Sequence, residues 1–244
     1  MGRLLYTLVI VLIAGSPLAA HAQACHTRSD YDVTLGDTAL QFERKTAPAQ
    51  LIEMRKGALS IDHKALGLGG DDRRRVAAIE AKVRELVPRI KTIGQRSVDL
   101  MVAAIREEAA RASPASAANP EVNARVDARA REFKRRIIAS KTSKEWHPDA
   151  LGAYMTTMLG DVAPLITGDL TQKAVDLTMK GDFGGVIALK DQALALRESL
   201  ERRIRSLLQE LQPDIDKLCP ALRELDRLES GIGAAHIDLI QVTS

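Results

Sequence analysis

Residues 58–93 read ALSIDHKALGLGGDDRRRVAAIEAKVRELVPRIKTI, and the hydrophobic period changes inside this stretch. Before Gly69-Gly70, apolar residues recur at about every second position, the period of a strand with one buried face. After it, Val76, Ile79, Val83, Leu86, Ile90 and Ile93 recur at alternating spacings of three and four, a heptad-like helical stripe. The two glycines end the strands, and Asp71 or Asp72 can cap the helix beyond them. Strands therefore come first in this chain and helices after.

Toward the N-terminus, Tyr31-Asp32-Val33-Thr34-Leu35 alternates and stops at Gly36-Asp37. Ala39-Leu40-Gln41-Phe42 comes next, with a break at Ala47-Pro48. Residues 51–54 and 58–61 flank Arg55-Lys56-Gly57, a hairpin turn in which glycine supplies the positive φ. Asp62-His63-Lys64 reads as a second turn, leading to Ala65-Leu66-Gly67-Leu68. The expectation is an antiparallel meander of four or five short strands. Alone it buries little, so it must lean on the helices.

Toward the C-terminus, the first helix continues through Val98, Met101 and Ile105 toward Arg111, with a kink expected at Pro88. Residues 113–119 form a loop rich in Ser, Pro and Ala. Asn119-Pro120-Glu121 supplies a cap, a proline at the first helical position and an acid in the first turn. Val122, Val126, Phe133 and Ile137 mark the apolar face of that second helix. Residues 140–146 are a polar break, and Pro148-Asp149 opens the most apolar helix, with Leu151, Tyr154, Met155, Met158 and Leu159. Pro164, Gly168 and residues 181–185 fragment the next part into short helices. A last long helix carries Val186 through Leu211, with Glu198–Arg202 and Glu201–Arg205 paired one turn apart. Pro213 interrupts it, and Ile215, Leu218, Leu222 and Leu225 carry a terminal segment past Cys219.

Of 244 residues, 45% are hydrophobic and 27% charged, which excludes wholesale disorder and a collagen-like fibre. The 35 Lys and Arg against 32 Asp and Glu leave +3, too balanced for the basic face that nucleic acid demands. Residues 1–22 read as a secretory signal peptide. Arg3 is the basic region, residues 4–14 are the apolar run, and Ala20-His21-Ala22 puts small residues at −3 and −1, so cleavage falls between Ala22 and Gln23. The run is shorter than the roughly 20 apolar residues of a spanning helix. A lipid-bearing Cys25 is the competing reading, but Ala22 stands where lipid attachment favours a Leu-like residue. Export places the only two cysteines, Cys25 and Cys219, in an oxidising compartment, where two thiols pair.

Motifs that carry chemistry are mostly absent. The chain has no G-x-S-x-G, Walker loop, H-E-x-x-H or C-x-x-C. Gly67-Leu68-Gly69-Gly70 suggests a dinucleotide loop only superficially, because Asp72 takes the third glycine's place and no βαβ unit surrounds it. His26, His63, His147 and His236 share no ligand spacing, so neither metal nor cofactor is expected. Arg73-Arg74-Arg75 reads as a solvated first helical turn or, functionally, as contact with anionic lipid or an acidic partner. Trp146 reads as an anchor between helices or as a binding aromatic.

Taken in order, several features resemble the YggN-like family of bacterial periplasmic proteins of unknown function. They are the signal peptide, the early cysteine, the Tyr31–Leu35 strand, the Gly57-centred hairpin, Arg74-Arg75-Val76, Leu86-Val87-Pro88 and the late cysteine with Leu222-Arg223-Glu224-Leu225-Asp226. The resemblance covers roughly residues 25–229. His63 stands where the family's turn is expected to carry Gly, and Asp72 where Gln commonly precedes the Arg. The resemblance implies a Gram-negative envelope location and supplies no catalytic residues.

The expected architecture is α+β. Residues 1–22 are the signal peptide. The meander of residues 23–68 packs on a bundle of long, kinked helices in residues 69–244, forming one structural unit. The expected function is a non-enzymatic periplasmic binding or envelope accessory protein, chaperone-like in its most concrete form, with an unknown protein or peptide client. The alternative is peripheral envelope-lipid binding through Arg73, Arg74 and Arg75 or through residues 151–166.

Overall fold

The structure is a computed structural model and describes residues 25–46, 49–112, 114, 118–146, 173–235 and 237–243. The expected signal peptide, its Ala22–Gln23 cleavage point and the apolar segment 151–166 lie outside these residues, as do His147 and His236.

Strands β1 (His26–Arg28), β2 (Asp32–Leu35), β3 (Leu40–Glu43), β4 (Leu51–Arg55), β5 (Ala58–Ile61) and β6 (Lys64–Ala65) come first. Helices α1 (Gly70–Ala112) and α2 (Pro120–Ala139) come next, then a 3-10 turn (Ser143–Trp146), α3 (Phe183–Asp216), α4 (Cys219–Ser230) and strand β7 (Gln241–Thr243). The arrangement is α+β, as the change of period predicts.

Strands β2 to β6 form one antiparallel meander in sequence order. Its register sets Leu40 opposite Met54, Phe42 opposite Ile52 and Met54 opposite Leu59. These side chains share one face, and Leu40, Ile52 and Met54 are fully buried. Gln41 and Glu53 pair on the other face, where Gln41 Nε2 donates to Glu53 Oε2 at 3.0 Å. Both hairpin turns fall where the sequence places them. Lys56-Gly57 and Asp62-His63 all have positive φ, the geometry that a two-residue hairpin connection favours. Gly57 meets a second demand: a Cβ there would come within 2.8 Å of the Arg73 carbonyl, so the turn can sit against α1 only without a side chain.

The sheet's inner face lies on the first half of α1, on α4 and on the tail after it. Tyr31, Leu40, Phe42, Ile52, Met54 and Leu59 share a core with Val76, Ile79, Val83 and Leu86 of α1, Leu218, Leu225 and Leu228, and the tail residues Ile232, Ile237 and Leu239. We call this unit the head. Further along, α1 buries Val98, Ala104, Ile105 and Ala109, while α2 contributes Val122, Val126 and Ile137, and α3 contributes Leu211. This second unit is the arm. With 43 residues, α1 is about 64 Å long and belongs to both.

Cys25 and Cys219 form a disulfide across a sequence separation of 194. The sequence reading missed one consequence. The bridge brings the two ends of the described chain together, and β1 pairs with β7 in a separate two-stranded sheet, with His26 opposite Thr243. Two other expectations are corrected. Strand β6 ends at Ala65 rather than running to Leu68, with one further backbone bond from Leu66 N to the Leu59 carbonyl at 2.9 Å. Pro213 does not interrupt α3, which runs on to Asp216. A helical proline forfeits its own N–H bond, and here the helix bears that loss so near its end, with Lys217 N bonding back to the Pro213 carbonyl at 3.3 Å. Pro88 likewise lies within a continuous α1.

Candidate functional site

Where sheet, α1, α4 and tail meet, the head encloses a half-open apolar pocket of about 300 Å³. Each element contributes the residues its own period points inward. The sheet supplies Val33, Leu35 and Phe42. One face of α1 supplies Ile79, Val83, Leu86, Val87 and Ile90, and α4 and the tail supply Leu222, Leu225, Leu239 and Ile240. Ile79, Phe42, Leu86 and Leu239 are nearly inaccessible, whereas Ile90 is 38% exposed, so the pocket opens toward Ile90. Its volume lies at the small end of the range for ligand pockets, which are apolar with a few placed polar groups.

The segment after α2 makes the rim. Leu35 N donates to the Lys141 carbonyl at 2.8 Å, Val33 N donates to Ser143 Oγ at 2.9 Å, and Thr34 bridges Thr142. These bonds cover the open edge of β2, which would otherwise present unpaired backbone groups. Ser143 Oγ also donates to Asp32 Oδ1 at 3.0 Å. Trp146 closes the rim: its Nε1 donates to Ser140 Oγ at 3.0 Å. Its ring lies against Gly94, where a Cβ would sit 3.5 Å from it and 3.5 Å from Ile137 Cγ2. Trp146 is thus both a packing anchor and a pocket-lining aromatic.

Three charged groups line the pocket: Lys141, exposed at the rim, Lys91 and Glu229. Lys91 is half-buried, and its Nζ donates to the carbonyls of Ile138 at 2.7 Å and Ser140 at 2.6 Å. Glu229 is 4% exposed, and its Oε2 and Oε1 accept the backbone N–H groups of Leu239 at 3.0 Å and Ile240 at 3.2 Å. Burial raises the Glu229 carboxyl to about 7, against the pull of those two amides and with a further rise from Asp226 and Asp238. Asp72 fixes the same tail from α1, accepting Gly233 N at 3.2 Å and Ala234 N at 3.1 Å.

Sequence reasoning found neither Lys91 nor Glu229. For Glu229 a signal existed: Leu218, Leu222, Leu225 and Glu229 succeed one another at spacings of four, three and four, which sets an acid on the apolar stripe. Lys91 gave no such sign. Of the residues that were singled out, Trp146 lines the pocket and the three arginines lie elsewhere. Arg74 pairs with Asp71, and Arg75 Nη1 lies 3.1 Å from Asp72, while the Arg73 side chain is exposed. Val175 and Met179 before the Gly181 turn, and Phe183 and Ile187 of α3 after it, are a row of exposed apolar residues along the chain, with Met179 83% and Phe183 72% accessible. Among the described residues no group of three or more His, Cys, Asp or Glu is placed to hold a metal ion, and no helix is long and apolar enough to cross a membrane.

No curated protein and no solved structure matches the chain. A family model does, described as a protein of unknown function, DUF2884, and it spans residues 25–237. That span runs from the first cysteine past the second and takes in the five-stranded sheet, α1, α4 and the pocket lining apart from Leu239 and Ile240. The chain belongs to the DUF2884 family.

Proposed function

We propose that this is an exported, non-enzymatic binding protein of the Gram-negative periplasm, and that its head pocket takes up an apolar ligand. The pocket carries the reading: about 300 Å³ of apolar space, open at one end, set into the head core. Close-packed interiors leave few such voids. The polar groups around it support binding rather than catalysis, because Glu229 is spent on the tail amides and Ser143 on Val33, while Lys91 holds the end of α2 with two of its three donors. The Cys25–Cys219 bridge and the resemblance to the YggN-like family support an oxidising, envelope location. N-terminal sequencing of the periplasmic fraction tests that part, with Gln23 as the expected first residue.

The binding claim is tested with a neutral naphthylamine dye. One saturable site is expected, lost when Val83→Phe fills the pocket while the disulfide and helix content persist. Binding that Val83→Phe leaves unchanged would refute it.

The exposed row Val175, Met179, Phe183 and Ile187 favours a second, client-binding reading. If that is right, the protein slows aggregation of unfolded outer-membrane proteins, and polar substitutions in the row abolish the effect.

A further inference from the structure

Building on the pocket reading, we infer that its ligand is a single-chain fatty acid, seated with its carboxylate at Lys91 and its chain along the α1 wall toward Phe42 and Leu225. Three observations converge on this chemistry.

The first is the state of Lys91. Its ammonium is half-buried on the lining of an apolar pocket, and its two bonded partners, the Ile138 and Ser140 carbonyls, are neutral. An ammonium has three donors, so one is left over, and among the described residues no carboxylate lies within ion-pair distance of it. A partly desolvated cation without a counter-charge favours an anion where water is displaced. Lys141, on the same rim, is exposed, and its nearest acid, Asp37, is 3.8 Å away.

The second is the opposite sign at the other end. Glu229 lies on the pocket lining near the start of α1, because α4 runs antiparallel to α1, with Gly231 against the Arg75 side chain and the Lys217 carbonyl accepting from Arg89 Nη2 at 2.9 Å. An anionic head is disfavoured there and favoured at Lys91, which fixes the direction of the ligand.

The third is shape. Between Ile79 and Lys91 the helix rises about 18 Å, and the wall over that length is Val83, Leu86, Val87 and Ile90. About 300 Å³ suits one chain rather than the two of a phospholipid.

The test is calorimetric titration of the full mature protein with laurate and with dodecanol, which share a chain and differ in the head. Laurate is expected to bind one per protein and roughly tenfold tighter than the alcohol, the usual scale for a hydrogen bond to a charged group. Lys91→Gln, which keeps a donor for the α2 carbonyls, should erase the difference, and Lys91→Arg should retain it. Equal affinity for acid and alcohol in the wild type overturns the inference without recourse to any variant. So does a preference that survives Lys91→Gln, or tighter binding of a two-chain phospholipid. If the neutral dye binds and neither lauryl compound does, the fatty-acid inference alone fails; if the dye fails as well, the pocket reading falls with it.

Discussion

In the head, α1 meets a sheet, α4 and the C-terminal tail; in the arm the same helix meets α2 and α3. The head core joins residues from Tyr31 to Leu239 and is tied by the Cys25–Cys219 bridge, the β1–β7 pair and the tail contacts of Asp72 and Glu229. Among the described residues the arm core holds Val98, Ala104, Ile105 and Ala109 of α1, Val122, Val126 and Ile137 of α2, and Leu211 of α3. Ion pairs reinforce it, Arg106 with Asp127 at 2.6 Å and Arg203 with Glu107 at 3.1 Å, but both are too exposed to add much. One helix thus serves a clasped, ligand-sized compartment at one end and an all-helical assembly at the other. The difference teaches that closure of the head comes from contacts distant in sequence, and that the pocket sits among the elements those contacts join.

The largest effect should result from removal of the clasp. Replacing both Cys25 and Cys219 with Ser should cost up to about 5 kcal/mol, since the bridge closes 194 residues of chain. Denaturant titration checks this, and a loss below about 1 kcal/mol would break the contrast between head and arm. Next come core truncations. Ile79→Ala in the head, 1% exposed, should cost about 3–4 kcal/mol. Ile138→Ala, 56% exposed, should stay within about 0.5 kcal/mol.

The third prediction concerns pH. The Glu229 carboxyl lies at about 7 in the folded chain against an ordinary 4.5. A raised acid contributes stability that is complete below its unfolded value and is lost as pH rises through its folded value. Relative to Glu229→Gln, the native protein should therefore lose up to about 3 kcal/mol between pH 4.5 and about 8. Thermal unfolding across that range checks it, and parallel profiles would contradict it. The smallest effect is expected where side chains already face solvent: Phe183→Ser should change stability by no more than about 0.5 kcal/mol.

Much of the head was legible from residues alone. Alternation in β2 to β5, the Lys56-Gly57 turn, the heptad stripe of α1 and the pairing of two lone cysteines each obey a local rule. The β1–β7 pair was not, because Gln241-Val242-Thr243 is too short to show a period and its partner β1 lies at the opposite end of the described residues. The pocket was not legible either. Its walls come from four separated stretches, and no spacing rule links Leu35 to Ile90 or Leu225. Lys91 reads in sequence as one more solvated charge, and its meaning arises only from the carbonyls and apolar wall that the fold sets around it.

The central claim is that the head holds an apolar ligand beside the one tryptophan of the chain. Titrating the native protein with laurate while monitoring Trp146 emission tests it directly. The account predicts a saturating shift to shorter wavelength, complete at one ligand per chain. Unchanged Trp146 emission under conditions where calorimetry records laurate binding would put the ligand elsewhere and contradict it.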